Sequence, residues 1–146
     1  MAVVVYLETE NGNFKKSALE VSSYGRKLAD ETKTNLCGIT FNSADPFKIK
    51  KYGVEKLINI KTDHVFDVKI YADLLCKNFK DLGGTIFITG SSADSRFIFP
   101  VVSISLNASY ATNVIEFPSS ISPLVLKRSA FTNKGFVFTE LKTNHK

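Results

Sequence analysis

Thr89-Gly90-Ser91-Ser92-Ala93-Asp94-Ser95 is the stretch whose residue types best suit chemistry. It follows an apolar run and opens a segment of helical character. At such a junction the unpaired backbone amides of a helix N-terminus can cradle an anion. Arg96, one turn into that helix, could pair with a phosphate or with a partner's carboxylate. Gly90, Ser91, Ser92, Ser95 and Arg96 therefore make up a candidate phosphate or adenine-nucleotide site. The plainer reading of the same residues is a strand-to-helix turn, with Asp94 and Ser95 as helix caps and Arg96 as a solvated side chain.

Elsewhere the residues that carry chemistry are sparse. His64 lies in the polar turn Thr62-Asp63-His64 and His145 in the C-terminal tail, and neither has the convergent ligands a metal needs, so both read as surface histidines. Cys37 and Cys76 sit in apolar segments and form no C-x-x-C pair, which suits buried, reduced thiols. No G-x-S-x-G, H-E-x-x-H or Walker sequence occurs, and no G-x-G-x-x-G follows the first strand. The loop at Gly90 is similar in outline to the Ser-Gly-Gly-x-Asp-Ser pyrophosphate loop of ATP-pyrophosphatases. It has one glycine fewer and follows the fourth strand rather than the first.

The elements that must position these residues alternate. Val3–Leu7 is a β-branched apolar run suited to a strand buried on both faces, and Asn11-Gly12-Asn13 a turn. A helix is expected from Ser17, whose hydroxyl and Glu20 would form a capping box, with Ala18, Val21, Gly25 and Leu28 on its buried side. Leu36–Phe41 and Leu57–Lys61 read as strands. Tyr71, Leu74, Leu75, Phe79 and Leu82 form the stripe of a second helix ended by Gly83-Gly84, and Thr85–Thr89 reads as a fourth buried strand. Ala93–Leu106 is expected to be helical, with Pro100 kinking it or marking a tightened turn, and its Phe97, Phe99, Val101 and Val102 supplying core. From Val114 the pattern is β, and Leu124–Phe131 with Phe136–Leu141 reads as a hairpin around Thr132-Asn133-Lys134-Gly135. The expectation is a single α/β domain over residues 1–146. It would be three-layered, with a mostly parallel sheet flanked by helices and a C-terminal antiparallel hairpin.

Composition narrows the function classes. The chain has 146 residues, 44% hydrophobic and 23% charged, with only 8 Gly and 4 Pro, which excludes collagenous and linker-like chains. Lys and Arg outnumber Asp and Glu by 19 to 14. The excess is dispersed, and the densest group is Lys48, Lys50 and Lys51, so a solvated surface is expected rather than a nucleic-acid groove. Glu8 and Glu10 come too soon after Met1 for a signal peptide, and no apolar run nears the ~20 residues of a membrane span. A bacterial cytoplasmic location, without membrane insertion or nucleic-acid partner, is expected.

Several stretches together resemble the α subunit of electron-transfer flavoprotein, in its N-terminal domain. Val3-Val4-Val5-Tyr6-Leu7-Glu8, Asn11-Gly12 and Lys16-Ser17-Ala18-Leu19-Glu20 look like that family's start. Tyr52-Gly53-Val54-Glu55-Lys56-Leu57 is similar to its Tyr-Gly-Ala-x-Lys-Val signature. Ser95-Arg96-Phe97-Ile98-Phe99-Pro100 falls where the family has Gly-Arg/Lys-x-x-x-Pro-Arg, and Ala130-Phe131-Thr132-Asn133-Lys134-Gly135 resembles its hairpin segment. Order and spacing agree along nearly the whole chain. Ser95 replaces the usual glycine, Val101 stands at the arginine, and Asn133 takes the place of the hairpin glycine.

The resemblance implies an adenine-nucleotide-binding-like α/β fold and a place in a heterodimer that accepts electrons from flavin dehydrogenases and passes them to an acceptor. This segment would be the α subunit's non-catalytic scaffold, packed against the β subunit. FAD would be bound by a C-terminal domain that the 146 residues do not include, and in relatives the AMP sits in the β subunit. No cofactor, catalytic residue or metal is therefore expected on this chain, and association is assigned to the C-terminal hairpin.

Overall fold

The computed structural model describes all residues, Met1–Lys146. Four strands, β1 (Ala2–Leu7), β4 (Asn35–Phe41), β5 (Lys56–Ile60) and β6 (Gly84–Ile88), form a wholly parallel sheet in the order β5-β4-β1-β6. Between β1 and β4 come a two-residue-per-strand hairpin, β2 (Thr9–Glu10) and β3 (Asn13–Phe14), and helix α1 (Lys16–Thr32). A 3-10 segment, Pro46–Tyr52, precedes β5, and helices α2 (Val68–Asp81) and α3 (Ala93–Ser105) flank β6 in sequence. Parallel strands need such long crossovers, and helices supply them.

The alternation of β1 sorts the core into two layers. Val3, Val5 and Leu7 pack with Ala18, Val21, Leu28 and Leu36 on the α1 side. Val4 and Tyr6 pack with Ile39, Phe41, Leu75, Phe79, Ile98, Phe99 and Val102 on the α2–α3 side. All six residues of β1 are buried, as expected of a strand covered on both faces. On the second face the rings of Tyr71, Phe41, Tyr6, Phe99, Phe87 and Phe79 follow one another, with centroids 4.2 to 6.0 Å apart. On the first face α1 lies so close that a Cβ at Gly25 would stand 2.7 Å from Val5 Cγ1 and 2.9 Å from Leu36 Cδ1.

The antiparallel part of the fold is a sheet of its own, β7 (Ser120–Ile121), β8 (Leu124–Ala130) and β9 (Gly135–Leu141), in that order. Leu124, Leu126 and Leu141 face inward against Ile86 and Ala111. Phe136 and Phe138, on the opposite face by alternation, are 61% and 62% exposed. The outer edge of β9 has no neighbouring strand.

Four expectations shift. Helix α1 starts at Lys16 with Lys15 at the cap, so Ser17 and Glu20 form no capping box. The Lys15 amide donates to the Glu8 carbonyl at 3.0 Å, and that bond starts the helix before Ser17. Strand β6, expected to be buried, is an edge strand and largely half-buried. Phe97 and Val101 are not core: with Ile104 they line the outer face of α3, opposite Ile98, Phe99 and Val102. Helix α3, by contrast, runs through Pro100 as one element, as expected. The hairpin loop begins one residue early, because Phe131, Thr132 and Asn133 all have φ between 50° and 63° and leave the ladder, while Gly135 pairs with Ala130.

Candidate functional site

Open parallel sheets bind ligands at the carboxyl ends of strands where the chain's crossovers diverge, because helix N-termini converge there. In this order that place is the mouth between β1 and β6. Strand β1 delivers Glu8, and β6 delivers Thr89 and the loop that starts α3.

Glu8 is a carboxylate with its side chain only 6% exposed. Its Oε1 accepts hydrogen bonds from the hydroxyls of Ser92 and of Ser95, the latter at 2.7 Å. Ser92 is the N-cap of α3 and accepts the Ser95 amide at 3.0 Å. Thr89 Oγ1 lies 2.9 Å from Ser95 Oγ. Since the single Ser95 proton goes to Glu8, the Thr89 hydroxyl is the donor of that pair. Lys15 Nζ stands 3.6 Å from Glu8 Oε2, an atom that is buried and has no hydrogen-bond partner. The arrangement holds the Glu8 carboxylate at the positive end of a 13-residue helix whose first turn also carries Asp94. The Tyr6 hydroxyl nearby is pushed well above its ordinary range by burial, with the charges of Glu8, Tyr71 and Asp94 adding to it.

The loop residues singled out from sequence divide accordingly. Ser92 and Ser95 meet at Glu8, whereas Ser91 and Arg96 are exposed and form no side-chain hydrogen bond or ion pair within the chain. Gly90 packs against Ser17, where a Cβ would come within 3.3 Å of the Ser17 Cβ. The cap is Ser92 rather than Asp94 or Ser95; Asp94 sits in the first turn and Ser95 is buried. Glu8, Lys15 and Thr89 were not singled out as a group. The available signal was a carboxylate following directly on a fully buried strand, where a charge must find partners.

Two recesses adjoin the sheet. One of about 430 Å³ runs beside β6 between Tyr24, Gly90, Arg96, Tyr110 and Leu126. A broader basin of about 840 Å³ at the ends of β4 and β5 holds Asn42, Lys61, Asp63, His64 and Asp73. His64 is exposed. His145 is not a surface residue as expected: it is half-buried, its ring edge-on to Phe79 at 5.8 Å. No group of three or more His, Cys, Asp or Glu could hold a metal ion, and both cysteines are buried free thiols. No helix is long and apolar enough to cross a membrane.

A family model described as an electron transfer flavoprotein domain matches residues 3–145. No curated protein matches the chain. Among solved structures, a protein from the universal stress protein family of Burkholderia pseudomallei is similar at a TM-score of 0.45 and 10% identity, covering 67% of this chain and 88% of that one.

Proposed function

The chain belongs to the electron transfer flavoprotein domain family, and from that premise we propose that it is the assembly domain of such a carrier's α subunit. It has a role in an electron-transfer flavoprotein and contributes no catalytic residue. In the whole heterodimer, dehydrogenases supply the electrons and a further domain of the same subunit holds the FAD. The β subunit is its direct partner, and the cytoplasm its location.

The observation that carries this reading is the outward face of the C-terminal sheet. Phe136 and Phe138 lie on the face of β9 opposite Leu141 and stay more than half exposed, while Lys127 Nζ lies 4.7 Å from the centre of the Phe136 ring. An apolar pair beside the free edge of β9 is what a docking surface offers, since an open ladder and bare aromatic rings both gain by being covered. Lys134 is exposed at the hairpin tip.

A flavin's pyrophosphate does not fit the residues present. The Gly90 loop, where sequence reading put a phosphate, already directs Ser92 and Ser95 at Glu8. The same contact weighs against the second reading, a stand-alone adenine-nucleotide module built on Gly90, Ser91, Ser92, Ser95 and Arg96. In favour of that reading is only the loop's position at the mouth of the sheet. Calorimetry separates the two. The assembly reading predicts saturable heat with the β subunit and none with AMP or ATP; heat with a nucleotide and none with the β subunit reverses the conclusion.

A further inference from the structure

Asn11 and Gly12 close the β2–β3 hairpin, and the fold demands that pair. Both have positive φ, 49° and 78°, as the central residues of a tight hairpin turn do. The second place also lacks room for a side chain, since a Cβ at Gly12 would stand 3.1 Å from the Ala44 Cβ. The Gly12 carbonyl is held there by the Ala44 amide, which donates to it at 2.9 Å. At the first place asparagine is among the few residues other than glycine that enter the left-handed region readily.

The same pair carries a reaction of its own, because the Gly12 nitrogen can close a five-membered ring on the side-chain carbon of Asn11. Nothing competes for either reactant. Asn11 is exposed and accepts only through its backbone carbonyl, and the Gly12 amide donates to no group of the chain. Glycine also brings no side chain to hinder the approach. The other asparagines differ, since none is followed by glycine. Asn42, left-handed as well, has its side-chain amide tied to Thr62 by two hydrogen bonds of 2.8 and 3.0 Å. The hairpin has only two residue pairs, Thr9–Phe14 and Glu10–Asn13, so opening it far enough for the Asn11 side chain to swing behind the Gly12 amide costs little.

We propose that Asn11 is a self-modifying site, converted in the folded protein to aspartyl and isoaspartyl residues. Hydroxide takes the Gly12 amide proton, and the nitrogen attacks Asn11 Cγ. The N–Cγ bond forms, the Cγ–Nδ2 bond breaks, and ammonia leaves with a proton from water. Water then opens the cyclic imide at either carbonyl, and nothing is oxidised or reduced. Either product adds one negative charge next to Glu10. The isoaspartyl form also inserts a carbon into the main chain just before the carbonyl that holds Ala44. The inference concerns the single chain and holds whether or not that chain assembles with a partner.

The test incubates the native chain in warm, mildly alkaline buffer and follows it by ion exchange, ammonia release and peptide mapping. The protein should shift progressively to a form more acidic by one charge, with the change mapped to Asn11 and matched by ammonia. Mildly acidic buffer should slow the shift, because the amide then keeps its proton. Asn11→Gly leaves a glycine pair that suits the turn and should abolish the acidic form. Asn11→Gln, whose ring would be one atom larger, should react far more slowly. An Asn11 that keeps its amide as long as Asn13 does overturns the proposal. So does conversion that appears only once urea has unfolded the chain, because the fold then protects the turn. An acidic form that accumulates at the wild-type rate in Asn11→Gly overturns it too.

Discussion

Glu8 and Ser95 are 87 residues apart in the chain and joined by a hydrogen bond of 2.7 Å. That bond ties the end of the central strand to the first turn of α3, and so ties the start of the fold to its third helix. A charged acceptor strengthens it, and its burial raises the cost of losing it.

Ser95→Ala should therefore cost about 1–3 kcal/mol, measured by urea unfolding. The loss leaves Thr89 without its acceptor and Glu8 with one donor fewer. Removing Glu8 as well should not add a second full penalty, because the two side chains share one network. Strictly additive losses would show that the contact carries no energy.

Gly25→Ala should destabilise the protein by about 1–3 kcal/mol, although alanine is the better helix former by about 1 kcal/mol. The added methyl meets Val5 and Leu36, both fully buried and unable to swing away. Thermal unfolding would read the sign directly, and a higher Tm would mean that α1 can move off the sheet.

Phe136→Ser and Lys134→Glu should leave stability within about 0.5 kcal/mol of the wild type, since both side chains are exposed. Association with a β subunit should weaken at least tenfold for Phe136→Ser, measured by calorimetry or gel filtration. Unchanged affinity in both variants would remove the hairpin from the interface.

Burial pushes Tyr24 up to about 12 and raises Tyr71, Tyr110, Cys37 and Cys76 as well. A group whose folded-state value is raised holds its proton more tightly when folded, so its contribution is complete below its unfolded value and is lost as pH rises toward the folded one. Stability should accordingly fall above about pH 9, with Tyr24 contributing between about 10 and 12. Tyr24→Phe should flatten that part of the decline by about 1 kcal/mol, discounted for the ring's partial exposure. The readout is Tm against pH; an unchanged slope between pH 10 and 12 would remove Tyr24 as a cause.

The layers were legible in the sequence because burial on two faces leaves a strong imprint. Val3–Leu7 reads as a covered strand, and Leu75 with Phe79 reads as a buried stripe, and both are so in the fold. The face of α3 was harder. Phe97 and Val101 are as apolar as Phe99 and Val102, and only the helix's rotation against the sheet decides which pair is covered. Ser17 has the residue type of a cap, but the bond from Lys15 to Glu8, a contact outside the helix, decides where α1 starts. The site was half legible. Ser92 and Ser95 stand out beside Gly90, whereas Glu8 is a single acidic residue whose role exists only once β1 and β6 lie side by side.

Phe131, Thr132 and Asn133 hold three successive left-handed conformations at the tip of the C-terminal hairpin, and none of them is glycine. Each such residue costs about 1–2 kcal/mol, and that cost has already been met in folding. What holds the tip in that shape is the ladder beneath it, the Ala130–Gly135 pair and the Lys134 amide donating to the Phe131 carbonyl at 3.1 Å. A substitution that frays the last rungs of β8 and β9 would therefore release the tip as well, and with it the backbone cost it carries.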